Sequence, residues 1–342
     1  MSEKQLPWIE KYRPIHLNDV VSHTNIIKIF DMFVKKSSLP NMILFGSPGI
    51  GKTSIIKACA KQLYQDDVNL MTLEINASEE RGIDVVRNTI SHFASCSSSF
   101  TWNNKKMCKL VILDEADSMT YDAQIAMKGI IDLYSHITRF CLVCNCIKKI
   151  HYSIISRCVK LRLHPIKMEE VFSHIKNMCL CEKIDISDVA LSDIIKYSKG
   201  DMRKIINVLQ SISTTYEHIS LKHVTTYLNK ISTEHFKMML DSLYNMNIKS
   251  SYKVIYNIMN DYGYSLHEFI NELNDILLSF IICNEKRSQL EKNYIVLQKI
   301  SNTDVIRIMY QLGKIEYQIF FNIPLNTLII SLISICNIIL KK

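Results

Sequence analysis

Glycine, proline and tryptophan are scarce in this 342-residue chain, at 8, 6 and 2 residues. With so few, there is no Pro-rich linker, no long low-complexity tract and no short internal repeat. The start, "MSEKQLPWIEKYRP", lacks the apolar core of a secretory signal. We therefore expect a reducing compartment and free thiols for the 11 cysteines. A second cysteine pair at metal-ligand spacing is missing as well. "CLVCNC" (Cys141, Cys144, Cys146) lies in an apolar, strand-like stretch and reads as buried thiols, not as a zinc site. Nor is there a run of about 20 apolar residues, the length a membrane-crossing helix needs. The nearest approach, Leu325 to Leu340, is interrupted by Asn326, Thr327, Ser331, Ser334 and Asn337. It reads as a buried helix of a bundle or subunit interface, and no membrane partner is expected.

The composition that is present, 48% hydrophobic and 22% charged, is that of a folding chain long enough for two or three domains. The net charge of +8 is uneven: residues 1–165 carry 21 Lys+Arg against 15 Asp+Glu, and the remainder 20 against 18. That permits a polyanionic partner without requiring one. Through residue 165, strand-like segments (41–46, 70–76, 109–117, 139–145, 159–163) alternate with helix-like ones (52–64, 83–94, 123–134). The alternation predicts an α/β domain with a parallel, helix-covered five-stranded sheet over residues 1–164. After His164-Pro165 strand signals become rare. Amphipathic spacing predicts a small helical domain over 165–228 and a second all-α domain over 229–342.

Two motifs carry chemistry. "GSPGIGKT" (Gly46, Ser47, Pro48, Gly49, Ile50, Gly51, Lys52, Thr53) follows an apolar strand and opens a helix, with Ser54 next in line. Its glycines let successive N–H groups turn toward phosphate oxygens at a helix start, where the dipole favours an anion. Lys52 would reach the outer phosphates and Thr53 would offer its hydroxyl to Mg2+. "LVILDEAD" brings Asp114 and Glu115 to the carboxyl end of a strand, where open α/β sheets bind ligands. Asp114 would hold Mg2+ and Glu115 would polarise an attacking water. Together they point to hydrolysis of a nucleoside triphosphate.

"PWIEKYRP", "GSPGIGKT", "INASEERGIDVVRN", "LDEADSMT", "SRC" and "GDMR" occur in that order between residues 7 and 210. In this the chain resembles a small subunit of replication factor C, the AAA+ clamp loader. It looks most like the type with a complete ATP site, numbered two or four. The resemblance implies an AAA+ body, a helical lid and an all-α collar, assembled with other subunits into a heteropentamer. It implies ATP and Mg2+ as cofactors, a sliding clamp and primer–template DNA as partners, and a nuclear location. It places Ile9, Arg13 and Val21 near the base and ribose. Asn145 becomes a first sensor of the γ-phosphate, where the residues alone also allow a strand-end cap. Arg203 becomes a second sensor on the lid, where the residues alone also allow a solvated helix-start arginine.

The resemblance further implies DNA-phosphate contacts from Arg81, Arg87 and Lys149, each of which could otherwise be a solvated surface charge. Where the family usually carries an Arg-Arg pair, this chain has Lys128 and Gly129. In "SIISRCVKLRL", Arg157 has no acid within a few residues and precedes an alternating stretch that reads as a buried strand. Locally, a salt bridge to a distant acid accounts for it. By resemblance it is an arginine finger whose partner is a phosphate on a neighbouring chain. Another AAA+ DNA machine would share the loop and "DEAD" without the remaining motifs. A non-hydrolysing scaffold subunit should lack Lys52, Asp114 or Glu115, and all three are present.

Overall fold

The structure is a computed structural model. It describes residues 6–340 except 80, 81, 83, 85, 97–100, 103, 104, 246, 283–286, 288–293, 295–300 and 322. The chain forms two compact units, Met1–Leu221 and Lys222–Lys342.

The first unit is built on five parallel strands: β1 (Met42–Phe45), β2 (Thr72–Asn76), β3 (Lys109–Asp114), β4 (Thr138–Cys144) and β5 (Val159–Arg162). Their order across the sheet is β2-β3-β4-β1-β5. Apolar runs, not alternating ones, form the inner strands because both faces are covered. Met42, Leu44, Leu110, Ile112, Cys141 and Val143 pack on one side. There they meet α1 (Thr24–Lys35) and α2 (Lys52–Tyr64) through Phe30, Ile55, Ile56 and Cys59. Ile43, Val111, Leu113, Phe140, Leu142 and Cys144 face the other side, against α3 (Tyr121–Tyr134) and the helical turn Val86–Ile90. The stretch 159–163 departs from its sequence reading. It forms an edge strand, flanked by one strand alone, in which Val159, Lys160 and Arg162 are exposed while Leu161 and, just past its end, Leu163 are buried, so it alternates and is half-buried rather than buried throughout.

Three helices follow in the same unit: α4 (Met168–Cys181), α5 (Asp188–Tyr197) and α6 (Met202–Thr215). They bury Val171, Ile175, Leu191, Ile194, Ile205 and Leu209 among themselves. The second unit contains five long helices among its described residues: α7 (Thr233–Asn245), α8 (Ile248–Tyr262), α9 (Leu266–Ile282), α10 (Asn302–Ile319) and α11 (Leu325–Leu340). Their shared core includes Phe236, Phe269, Phe280, Leu312 and Ile329. The apolar tail, α11, contributes Leu328, Ile329, Leu332, Ile333 and Cys336 to this core. Among the described residues no helix is long and apolar enough to cross a membrane.

Candidate active site

Sheet order sets the site. Parallel strands bring all their carboxyl ends to one edge, and β4 lies between β3 and β1. Asn145, just past β4, is therefore held between the acids that end β3 and the loop that follows β1. The loop is tight. A Cβ on Gly46 would stand 2.4 Å from the Leu163 carbonyl oxygen, so only glycine fits there. Gly51, in the left-handed region at φ 91°, caps the start of α2.

Lys52 is 93% buried, and an ammonium taken out of water needs partners. Its three N–H groups have three acceptors: Gly46 O at 2.9 Å, Ser47 O at 2.7 Å and Asn145 Oδ1 at 2.8 Å. Burial pushes its pKa down, and the nearby Asp114 carboxylate opposes that shift. Beside it the Thr53 hydroxyl donates to Asp114 Oδ2 at 2.8 Å, while Asp114 Oδ1 accepts the Glu115 N–H at 2.9 Å. Glu115 takes a left-handed backbone, φ 50°, which ends the strand at Asp114 and leaves its own side chain exposed. The strand is thus three residues shorter than the apolar-plus-acid run suggested.

A cleft continues from the loop. It is lined by Gly49, Ile50, Gly51, Thr53 and Ser54 on one side and by Ile9, Arg13 and Val21 from the N-terminal segment on another. Ile166, His174, Met202, Arg203 and Ile206 line it from the helical side. The structure thus brings Ile9, Arg13, Val21, Thr53, Ser54 and Arg203 together around one space. Ser47 and Pro48 are exposed at the loop and stand outside that lining. Arg13 is paired with Glu10 at 2.8 Å.

Sequence reasoning missed several residues that organise this site. Asp201 caps α6 by accepting from Arg203 N at 3.0 Å and Lys204 N at 3.2 Å, and Met202 N donates to Gly49 O at 3.1 Å. The loop and the helix bearing Arg203 are therefore joined. Asp two positions before Arg is an N-cap signal that could have been used. Asp117 accepts from Asn145 N and Cys146 N, both at 3.3 Å, tying the acid turn to the end of β4. His23 contacts the Ile50 carbonyl oxygen at 3.3 Å, and both it and His174 have pKa values pushed down by burial.

The remaining expected residues lie elsewhere. Arg87 is exposed on the turn Val86–Ile90, and Lys149 is exposed in the turn Ile147–Lys149. Arg81 lies outside the described residues. Gly129 is exposed in α3, where a Cβ would meet nothing within 4 Å, so packing does not demand a glycine. Cys141 and Cys144 are buried strand residues, and the Cys144 thiol is pushed up to about 12 by burial. No group of three or more candidate ligands is set to hold a metal among the described residues.

Arg157 does have an acid partner in its own chain, the salt bridge to a distant acid that its local surroundings suggested, whereas the resemblance gave it only a phosphate on another chain. Asp132, in the last turn of α3, receives Nε at 2.5 Å and Nη2 at 2.9 Å. The two residues are distant in sequence, and the packing of α3 against the segment before β5 brings them together.

These features define a P-loop ATPase of the AAA class. The profile described as "AAA: ATPase family associated with various cellular activities (AAA)" matches residues 42–165. The Thermotoga maritima RuvB Holliday junction branch migration motor has the same fold: TM-score 0.50, 16% identity, 72% of this chain and 85% of that one. A single-residue variant of that RuvB gives a TM-score of 0.52 at 15% identity, over 77% and 91%. Closer in sequence are replication factor C subunits. Subunit 5 of Homo sapiens is 40% identical over 272 residues, covering 79% of each chain. Subunit 3 of Schizosaccharomyces pombe is 37% identical over 79% of this chain and 78% of its own. Subunit 3 of Oryza sativa is 37% identical over 83% and 78%. The chain belongs to the replication factor C small subunits, the clamp-loader ATPase family of DNA replication. These relatives are numbered five and three, so the finer assignment to the type numbered two or four does not follow from them.

Proposed function

We propose that this chain is a DNA-stimulated ATPase subunit of a heteropentameric clamp loader that opens a sliding clamp and places it on primer–template DNA. The observation that carries the reading is the meeting of Lys52, Thr53, Asp114 and Asn145 at the ends of neighbouring strands, beside a cleft lined by Arg203. The donor set suits Mg2+ and ATP. Thr53 and Asp114 offer hard oxygens side by side, as Mg2+ requires, and Lys52 can exchange carbonyl oxygens for phosphate oxygens. Bound Mg2+ would supply neutralisation of phosphate charge. Lys52 and Asn145 would orient the outer phosphates, and Glu115 would draw a proton toward itself from an attacking water. Arg203 would report phosphate on the lid, and Ile9, Arg13 and Val21 would hold the base and ribose.

In this reading residues 1–164 are the AAA+ body, 165–228 the lid and 229–342 the collar that joins subunits. Arg87 and Lys149, with Arg81 by resemblance, would contact DNA phosphates, which carry no base code, so binding would follow structure and not sequence. Arg157 would act in trans on a neighbour's ATP. The eukaryotic relatives support a nuclear location. The test is reconstitution with partner subunits, clamp and primed DNA. Primed DNA should raise ATP turnover, and Glu115→Gln should remove this chain's share while ATP still binds. No stimulation, together with no effect of Glu115→Gln, would leave a non-hydrolysing scaffold instead.

A further inference from the structure

We propose that Asp132 is a positioning residue that presets the Arg157 guanidinium for a phosphate on a neighbouring subunit. This role rests on the trans reading of Arg157 given above. A guanidinium has five N–H groups, one on Nε and two on each Nη. Asp132 takes Nε at 2.5 Å and Nη2 at 2.9 Å, and the Ser153 carbonyl takes Nη1 at 2.8 Å. Ser156 Oγ, at 3.4 Å from Nη1, adds little. One N–H on each Nη is left, the number that a forked contact with phosphate uses. Arg157 thus need not abandon Asp132 to meet an anion.

Magnitudes separate positioning from withholding. The side chains of Arg157 and Asp132 are 31% and 47% exposed. An exposed ion pair biases a population by no more than about fivefold. An arginine finger contributes about 10³–10⁵ in rate in other nucleotide hydrolases. The pair is far too weak to keep the finger from a phosphate. It is strong enough to select one side-chain geometry in advance, which a long, freely rotating arginine would otherwise have to find during reaction. Arg157 returns the interaction by holding the Asp132 carboxyl below its ordinary range, so it is ionised at neutral pH.

The experiment uses the reassembled complex with Glu115→Gln in this chain, so that turnover comes from the other sites. Arg157→Ala defines the finger-dependent part. Asp132→Ala and the near-isosteric Asp132→Asn should lower that part about two- to fivefold, the bias such a pair supplies, with KM for ATP unchanged. Asp132→Glu should restore at least half of it. In the Arg157→Ala background, Asp132→Ala should add nothing. Size-exclusion chromatography scores assembly, and the Asn variant keeps the side-chain volume should the alanine fail to assemble. Finger-dependent turnover unchanged or raised in the Asp132 variants overturns the positioning role. So does a further loss from Asp132→Ala when Arg157 is already alanine. If Arg157→Ala itself changes nothing, the trans reading falls and the role of Asp132 falls with it.

Discussion

Gly49→Ala should uncouple the phosphate loop from helix α6. Gly49 has φ 69°, and a Cβ built there lies 1.8 Å from Asp201 Oδ1 and 2.3 Å from Asp201 Cγ. Two costs follow. The left-handed backbone costs alanine about 1–2 kcal/mol. The clash is relieved most cheaply by swinging Asp201 aside, which gives up its bonds to Arg203 N and Lys204 N. Losing an N-cap of that kind costs about 1 kcal/mol. The variant should therefore be destabilised by about 2–3 kcal/mol, and Asp201→Ala alone by about 1 kcal/mol. The combination is diagnostic. With Asp201 already alanine there is no carboxylate to displace, so Gly49→Ala should then cost only its backbone term. The two effects should fall short of additivity by about 1 kcal/mol. Urea unfolding measures the energies, and hydrogen exchange of the Met202–Thr215 amides locates the loosening. Strict additivity, or unchanged exchange in α6, would refute the mechanical link.

Acid should weaken the fold through His23 and His174. Burial lowers both pKa values below 6.5, so below that pH the unfolded chain binds more protons than the folded one. Stability should rise from the folded-state pKa values up to pH 6.5 and be lost on acidification through the same window. His23→Asn, which suits the φ of 60° at that position, should flatten the fall, as read from urea midpoints between pH 5 and 7. In the assembled complex, Arg87→Ala should reduce the log–log salt slope of primed-DNA binding by about 0.9, and an unchanged slope and affinity would remove Arg87 from the DNA surface.

The parts of the fold that local chemistry dictates were readable in advance. The phosphate loop's helix runs over Lys52–Tyr64 as its glycine start and apolar spacing require. All five strands lie within about two residues of their apolar runs, apart from β3, which Glu115 stops early by turning left-handed. What escaped was long-range. Period-two alternation at 159–163 matched the burial of Leu161 and Leu163, but that this strand lies at the sheet edge depends on sheet order, which no local pattern contains. The same holds for the site. Lys52, Thr53 and Asp114 announce themselves by motif, whereas Asp117, Asp132 and Asp201 act on backbone or side chains brought near by packing. An exposed acid on a helix looks the same in sequence whether it faces solvent or an arginine from another element.

The contacts around the cleft also bear on how a bound nucleotide would act on helices α4–α6. The loop holds α6 through Met202 N and Gly49 O at 3.1 Å. The N-terminal segment holds the same group of helices from the other side. Trp8 N donates to Gln210 Oε1 at 3.1 Å, Lys11 pairs with Glu182 at 2.5 Å, and the Tyr12 hydroxyl donates to Glu182 as well. The two neutral bonds contribute about 1 kcal/mol each, the Tyr12 bond to a carboxylate about 1.5–3 kcal/mol, and the exposed ion pair less than about 1 kcal/mol. A charge-assisted bond from Arg203 to a phosphate would contribute about 1.5–3 kcal/mol. A ligand shifts a conformation only by its difference in affinity between the two states. Such a bond is no larger than these contacts together, so it would move the helices only to the extent that they give way. Strengthening the N-terminal restraint should then blunt the response to ATP as effectively as removing Arg203.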